Sequence, residues 1–274
     1  MRKLTQLGLL LALIVIATAM SIAAATYTKI PGVPQSVNDL GAAIAAEQTA
    51  VVTPGGTEYA PKFSDADETS FEKSGKLAKI VARVAAEKVF ADGVVAIQNL
   101  PQKTREKVWT KFLTPVYPTW GMNGKISDAG TTNAGYSVQT KIATALTDMA
   151  KAYVAVADFG YQIRSAQMEV VTPGGTEYAP KFSDEDKAKF DKSDKLSKIV
   201  EKFTGAETFP GNVAAFKSLT DKSQATAFEK FSVPVYPTWA MIGKISDAGT
   251  TGAGYEVQKT IIAEMVKALK AALK

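Results

Sequence analysis

Cysteine and histidine are both absent from the 274-residue chain, and their absence excludes several classes of chemistry. Disulfide bonds, thiolate nucleophiles, zinc sites built on Cys or His, His-ligated haem and Ser-His-Asp catalysis all lack the side chains that they need. Hydrophobic residues still make up 46% of the chain, which is enough for an ordinary core. We therefore predict a globular protein that is not an enzyme and that holds no cofactor.

The net charge of +5 does not come from a basic surface. Much of the excess lies near the N-terminus, where Arg2, Lys3 and Lys29 have no acidic residue among them. In the rest of the chain acidic and basic residues are nearly equal in number and alternate, which is typical of solvated helix faces. A nucleic-acid-binding protein needs basic groups concentrated on one face, so we predict that this chain binds no nucleic acid.

The N-terminus has the pattern of an export signal. Arg2 and Lys3 precede an uncharged apolar run over residues 7–25, which ends in three alanines. This pattern is typical of a cleaved signal peptide, but about 20 apolar residues can also span a bilayer as a retained anchor. Both interpretations stay open at this point, and in both the residues that follow leave the cytoplasm. We predict a periplasmic, lumenal or extracellular location, with membrane attachment through this helix if it is not cleaved.

One long unit is written twice along the chain. Residues 51–65 recur without change at residues 170–184, an offset of 119. Two further segments recur at the same offset: residues 115–120 at 234–239, and residues 125–132 at 244–251. Each copy is long enough to have its own core. We predict four segments: a signal peptide or anchor (1–25), a linker (26–38), helical repeat 1 (39–157) and helical repeat 2 (158–274).

The apolar residues follow a helical period in both copies. Leu77, Ile80 and Val84 lie on one face of an amphipathic helix, and residues 142–169 form an almost uninterrupted helical stretch. Strand-like alternation is not convincing, although a short strand at residues 169–171 is possible. We predict an all-α fold of two tandem pseudo-symmetric units with four to five helices each. Long loops containing Pro and Gly connect the helices, and an N-terminal hydrophobic helix precedes the first unit.

Several helix starts carry local signals. Ser64 with Asp67, and Ser183 with Asp186, resemble capping boxes in which Asp replaces the usual Glu. Pro101 is a residue type favoured in the first turn of a helix. We expect a helix to begin at each of these positions.

Identities between the two copies concentrate in two loops. Turn geometry explains the prolines and glycines there, but it does not explain the charged and aromatic residues. These candidate binding residues are Glu58, Tyr59, Lys62, Tyr117, Trp120, Asp128, Glu177, Tyr178, Lys181, Tyr236, Trp239 and Asp247. One interpretation is that the loops cap the core and satisfy buried backbone groups. The other is that each copy presents a site for a protein partner or an apolar ligand.

Metal and acid–base chemistry have little support in the sequence. Asp65 and Asp67 lie near each other, but no calcium-binding loop surrounds them, and the first turn of a helix favours Asp in any case. Glu58 and Asp128 occur in both copies and would suit a carboxylate pair in hydrolysis, but only their shared presence supports that role. We therefore predict no metal site and no catalytic residue.

We predict a non-enzymatic, exported, tandem-repeat helical protein. It would act as a structural or accessory interaction subunit of a membrane-associated or surface assembly, because two joined copies raise the effective concentration of a binding surface. An alternative is a carrier that holds an apolar ligand, such as a pigment or a lipid, between the two repeats. A second alternative is a carboxylate-dependent hydrolase.

Overall fold

A computed structural model describes residues 27–123, 129–242 and 249–274. Apart from two isolated β-bridges, the described residues contain helices and turns and no strand. The prediction of an all-α fold is confirmed. The predicted N-terminal hydrophobic helix lies outside the described residues, and within them no helix is both long enough and apolar enough to cross a bilayer.

The chain divides into two compact units, Met1–Ala150 and Lys151–Lys274. The boundary between them falls inside one long helix. The described elements up to and including that helix are α1 (Gln35–Val52), the 3-10 helix η1 (Thr57–Lys62), α2 (Asp65–Lys73), α3 (Lys76–Ala86), α4 (Lys88–Gln98), α5 (Gln102–Phe112), α6 (Trp120–Asn123) and α7 (Asn133–Val171).

The elements after α7 follow the same order. They are the 3-10 helix η2 (Thr176–Lys181), α8 (Asp184–Asp191), α9 (Lys195–Thr204), α10 (Phe209–Lys217), α11 (Asp221–Phe231), α12 (Trp239–Ile242) and α13 (Gly252–Ala272). The units therefore contain more and shorter helices than the four to five predicted. One reason is the left-handed conformation of Gly75 (φ 64°), which ends one helical stretch and begins another. Residues 169–171, where a short strand was possible, form the end of α7.

Capping contacts define the starts of several helices. Ser64 Oγ accepts a hydrogen bond from the Asp67 N–H, and Asp67 Oδ2 accepts one from the Ser64 N–H at 2.8 Å. Ser183 and Asp186 form the same capping box, so both predicted boxes are confirmed. Pro101 precedes its helix as the N-cap instead of occupying the first turn.

Aliphatic side chains from α1, α4 and α7 form the core of the first unit. Leu40, Ile97 and Ile142 have no exposed surface, and burial of such a side chain contributes about 1.5–3 kcal/mol. Helices α1 and α4 approach each other closely at Gly93, where a Cβ atom would lie only 2.7 Å from Leu40 Cβ. Glycine at this position therefore allows the two helices to pack.

A cluster of phenylalanine rings lies in the core of the second unit. The Phe159 ring lies edge-on to three others, with centroid distances of 5.8 Å to Phe203, 5.8 Å to Phe209 and 6.0 Å to Phe216. The residues 119 positions earlier, in the same order, are Leu40, Val84, Phe90 and Ile97. Three of these four equivalent core positions thus hold different apolar side chains in the two units, as well-packed cores permit when total volume is redistributed.

Candidate functional site

Two buried glutamines hold the second of the two repeated loops, which we call loop B (residues 115–132). In the first unit, Gln48 Oε1 accepts a hydrogen bond from the Val116 N–H at 2.9 Å. Gln139 Oε1 accepts one from the Tyr117 N–H at 2.8 Å, and its Nε2 donates to Tyr117 O at 3.3 Å. Both glutamines are at most 1% exposed. The core itself therefore anchors the backbone of loop B, and these contacts satisfy polar groups that are shielded from water.

Two threonines connect loop B to the first repeated loop, which we call loop A (residues 53–65). Thr131 Oγ1 donates a hydrogen bond to Ala60 O at 2.9 Å, and Thr132 Oγ1 donates to Phe63 O. The Thr131 N–H donates to Pro118 O at 2.7 Å. The described parts of the two loops are therefore joined by hydrogen bonds.

The second unit contains the same contacts 119 residues later. The pairs are Gln167 with Val235, Gln258 with Tyr236, Thr250 with Ala179 and Thr251 with Phe182. These contacts account for part of the identity between the loops, since each side chain serves a backbone group of its own unit. They form a scaffold on which the remaining loop residues are displayed.

The candidate residue Tyr59 takes part in this scaffold. Its hydroxyl donates to Asp67 Oδ2 at 2.9 Å, and Ser64 Oγ donates to the same oxygen at 2.7 Å. Hydrogen bonds from Ser64, followed by that from Tyr59, lower the pKa of Asp67. In the second unit the equivalent hydrogen bonds lower the pKa of Asp186 to about 2, and the bond from the Ser183 N–H has the largest effect. Tyr59 therefore braces loop A against the start of α2.

Tyr117 and Tyr236 lie inside their respective units. Their exposed fractions are only 4% and 7%, and burial raises the pKa of the Tyr117 hydroxyl. A macromolecular partner cannot reach either ring without rearrangement of the loop. In this structure each tyrosine packs as part of the core of its own unit.

The two candidate tryptophans lie at the surface of their units. Trp120 begins α6 and Trp239 begins α12, and both are half-buried. Two residues further on, Met122 and Met241 are 74% and 71% exposed. We call each Trp/Met pair a Trp/Met surface. The methionines were not among the predicted site residues, although a Trp-x-Met pattern at the 119-residue offset is visible in the sequence.

Four of the charged candidates lie at the surface, and the other two fall outside the described residues. Glu58, Lys62, Glu177 and Lys181 are exposed on η1 and η2, whereas Asp128 and Asp247 lie outside the described residues. The distance between Glu58 and Asp128, which would test their pairing in hydrolysis, therefore lies outside what the structure describes. Across the described ranges no group of three or more Asp or Glu residues is placed to hold a metal ion.

Comparisons with protein-family models, with curated proteins and with solved structures find no match to this chain.

Proposed function

We propose that this chain is a non-enzymatic, exported, tandem-repeat protein that binds partner proteins through its two Trp/Met surfaces. The observation that carries the proposal is the exposure of Met122 and Met241, each two residues after a half-buried tryptophan at the equivalent position of its unit. A single exposed apolar residue is ordinary in a soluble protein. An exposed methionine at the same spacing after the same tryptophan in both units is more specific.

The chemistry of these side chains suits protein recognition. Trp and Met are enriched in interfaces, where Trp provides a large contact area and the flexible Met adapts to the partner's shape. The β-bridge of Thr119 with Thr131 and the hydrogen bond from the Trp120 N–H to Thr131 O hold the first surface in place. Such preorganisation reduces the entropy lost on binding.

The repetition in sequence supports a bridging or bivalent role. Two copies of one binding unit in a single chain raise the effective concentration of the second site after the first has bound. The N-terminal signal suggests that the assembly lies outside the cytoplasm. We therefore propose a role as an accessory or structural subunit on the outer or lumenal side of a membrane, or in a surface layer.

Native-gel electrophoresis of the full chain, extracted from its own cells, tests this proposal. The double variant Met122→Ser/Met241→Ser should migrate as a smaller species than the unmodified chain. The matched control is Val95→Ser/Val233→Ser, which removes two other exposed apolar side chains (58% and 66% exposed) and should leave assembly unchanged. A free monomer for every form, or equal assembly of all three, would refute the proposal.

A further inference from the structure

The first unit contains a cavity that opens to solvent between α1, loop A, α2 and α3. Its volume is about 390 Å³, within the range of about 300–1,000 Å³ that is usual for small-molecule sites. Phe63 and Ile80 line it but are buried. The apolar side chains that keep exposed surface there are Val51, Pro54 and Tyr59. A ligand in this cavity would therefore meet apolar groups that are accessible from solvent.

The two acidic groups that line the cavity already have partners. The Glu47 carboxylate pairs with Arg83. Asp67 Oδ2 accepts a hydrogen bond from the Tyr59 hydroxyl at 2.9 Å and caps its own helix. Neither carboxylate is therefore available to neutralise a further positive charge at the cavity.

Two lysines of α3 add positive charge to the same cavity. Lys76 and Lys79 both line it and are exposed, and neither forms an ion pair with any residue that the structure describes. Because they lie three positions apart on one helix, they face the same side. The cavity thus combines an apolar wall with two ammonium groups that lack a counter-charge.

The equivalent lysine of the second unit is neutralised. Lys198, which corresponds to Lys79, pairs with Asp194 at 2.7 Å. The first unit has Gly75 at the position of Asp194, so Lys79 has no acidic residue one turn before it. The uncompensated charge is a property of the first unit.

A second exchange has the same effect. The second unit has a cavity at overlapping positions, which Glu169 and Lys202 help to line, and these two side chains are 3.5 Å apart. The first unit has Ala50 at the position of Glu169. A carboxylate therefore lies at the cavity of the second unit where the first unit has a methyl group.

We propose that the cavity of the first unit binds a fatty carboxylate, a molecule with one carboxylate and an alkyl chain. The carboxylate forms charge-assisted hydrogen bonds with Lys76 and Lys79, and the alkyl chain contacts Val51, Pro54 and Tyr59. Charge complementarity favours an anion, and the apolar wall favours an alkyl chain over a bare inorganic anion. This site belongs to the first unit, and it does not depend on the Trp/Met surfaces.

Isothermal titration calorimetry of the full chain with decanoate, decan-1-ol and decylammonium tests the site. The three probes share an alkyl chain and differ in the charge of the head group. We expect decanoate to bind one site per chain, about tenfold more tightly than decan-1-ol, and decylammonium to bind most weakly. Added salt should weaken decanoate binding. Absence of saturable decanoate binding, or equal affinity for the three probes, would overturn the proposal.

Three variants provide the second arm, each with unchanged helical circular dichroism. Lys76→Gln/Lys79→Gln should reduce the affinity for decanoate to that for decan-1-ol. Ala50→Glu, which installs the residue of the second unit, should weaken decanoate binding at least about tenfold but not decylammonium binding. The matched control Lys103→Gln/Lys107→Gln removes the same charge from exposed positions of α5 and should bind decanoate normally. Undiminished decanoate binding by either folded cavity variant, or an equal loss in the control, would overturn the proposal.

Discussion

Glu68 of α2 and Lys141 of α7 form an ion pair, with 2.7 Å between Glu68 Oε1 and Lys141 Nζ. The Ser137 hydroxyl donates to the same carboxylate oxygen at 2.6 Å, and Lys141 also pairs with Glu72 one turn along α2. The Glu68 side chain is 23% exposed, so the pair is only partly screened by solvent. These contacts join α2 to the long helix at the edge of the first core.

Glu68→Gln should lower the free energy of unfolding at pH 7 by no more than about 1 kcal/mol, since ion pairs near the surface contribute little. Hydrogen bonds from Lys141, followed by that from Ser137, lower the pKa of Glu68. Its contribution is therefore complete above the ordinary glutamate pKa of about 4.3 and is lost as the pH falls through the lower folded-state value.

Urea unfolding of the unmodified chain and of Glu68→Gln, at pH 7 and at pH 3, measures this contribution. The difference between the two proteins should shrink at pH 3. The control is Glu58→Gln, a change at an exposed glutamate of η1, which should alter stability little at either pH. An equal difference for Glu68→Gln at both pH values would contradict the assignment.

This ion pair is not retained in the second unit. At the positions equivalent to Glu68, Ser137 and Lys141 the second unit has Lys187, Glu256 and Thr260. Lys187 instead pairs with Asp191 on its own helix. The contacts of the buried glutamines and threonines do recur. The contrast is physical: exchanging surface charges costs little, whereas leaving a buried backbone group unsatisfied costs about 1–3 kcal/mol.

Gln139→Ala should therefore destabilise the protein far more than Glu68→Gln. It leaves both the N–H and the carbonyl of Tyr117 without the partners described above, so we expect a loss of about 2–4 kcal/mol. Chemical denaturation measures it, with Gln102→Ala at the exposed start of α5 as the control. A loss below about 0.5 kcal/mol, within the range of ordinary surface substitutions, would mean that the glutamine does not hold loop B.

The helices and their caps could be predicted from the sequence because their signals are local. The Ser64 capping box involves residues only three positions apart. The roles of the loop residues could not be assigned in the same way, because each depends on a distant partner, as with Gln48 and Val116. The sequence shows which two loops are repeated. Only the fold shows that Tyr117 is buried whereas Trp120 is half-buried.

The exposure of Met122 and the cavity of the second unit could not be predicted either, because both depend on how the helices pack. The exposure of Met122 was unexpected because methionine usually packs in the core, and no periodicity in a four-residue helix indicates which side faces solvent. The second unit also has a cavity between packed helices, which Ser165, Ala166 and Ala206 help to line. Such a volume is a property of the assembled core and has no local signature in the sequence.

Gly254→Ala should be strongly destabilising, although alanine normally favours helix formation. A Cβ atom at this position would lie 2.1 Å from Thr250 Oγ1, so the Thr250 side chain must move and its hydrogen bond to Ala179 O is lost. We expect a loss of at least about 2 kcal/mol, as for other overpacking changes in a core. Gly252 lies in the same helix with open space around it, and Gly252→Ala should be neutral or slightly stabilising.

A double-mutant cycle with Thr250→Ala isolates the contact between these two residues. Removal of Oγ1 removes the clash, so the double variant should lose less stability than the sum of the single variants. Thermal or urea unfolding of the four proteins measures the coupling. Strict additivity would show that the clash is relieved elsewhere in the loop.

Trp239→Ala distinguishes a tryptophan that is available to a partner from one that mainly covers the core. Because its ring is half-buried, we expect a loss of about 1–2 kcal/mol, below the approximately 3–5 kcal/mol typical of a fully buried aromatic residue. The reference is Phe216→Ala, which removes a ring with no exposed surface. Denaturant unfolding compares the two, and native electrophoresis of Trp120→Ala/Trp239→Ala reports on assembly. Suppose that Trp239→Ala loses as much stability as Phe216→Ala and that the double variant assembles normally. The tryptophans would then stabilise the core and would not contribute to partner binding.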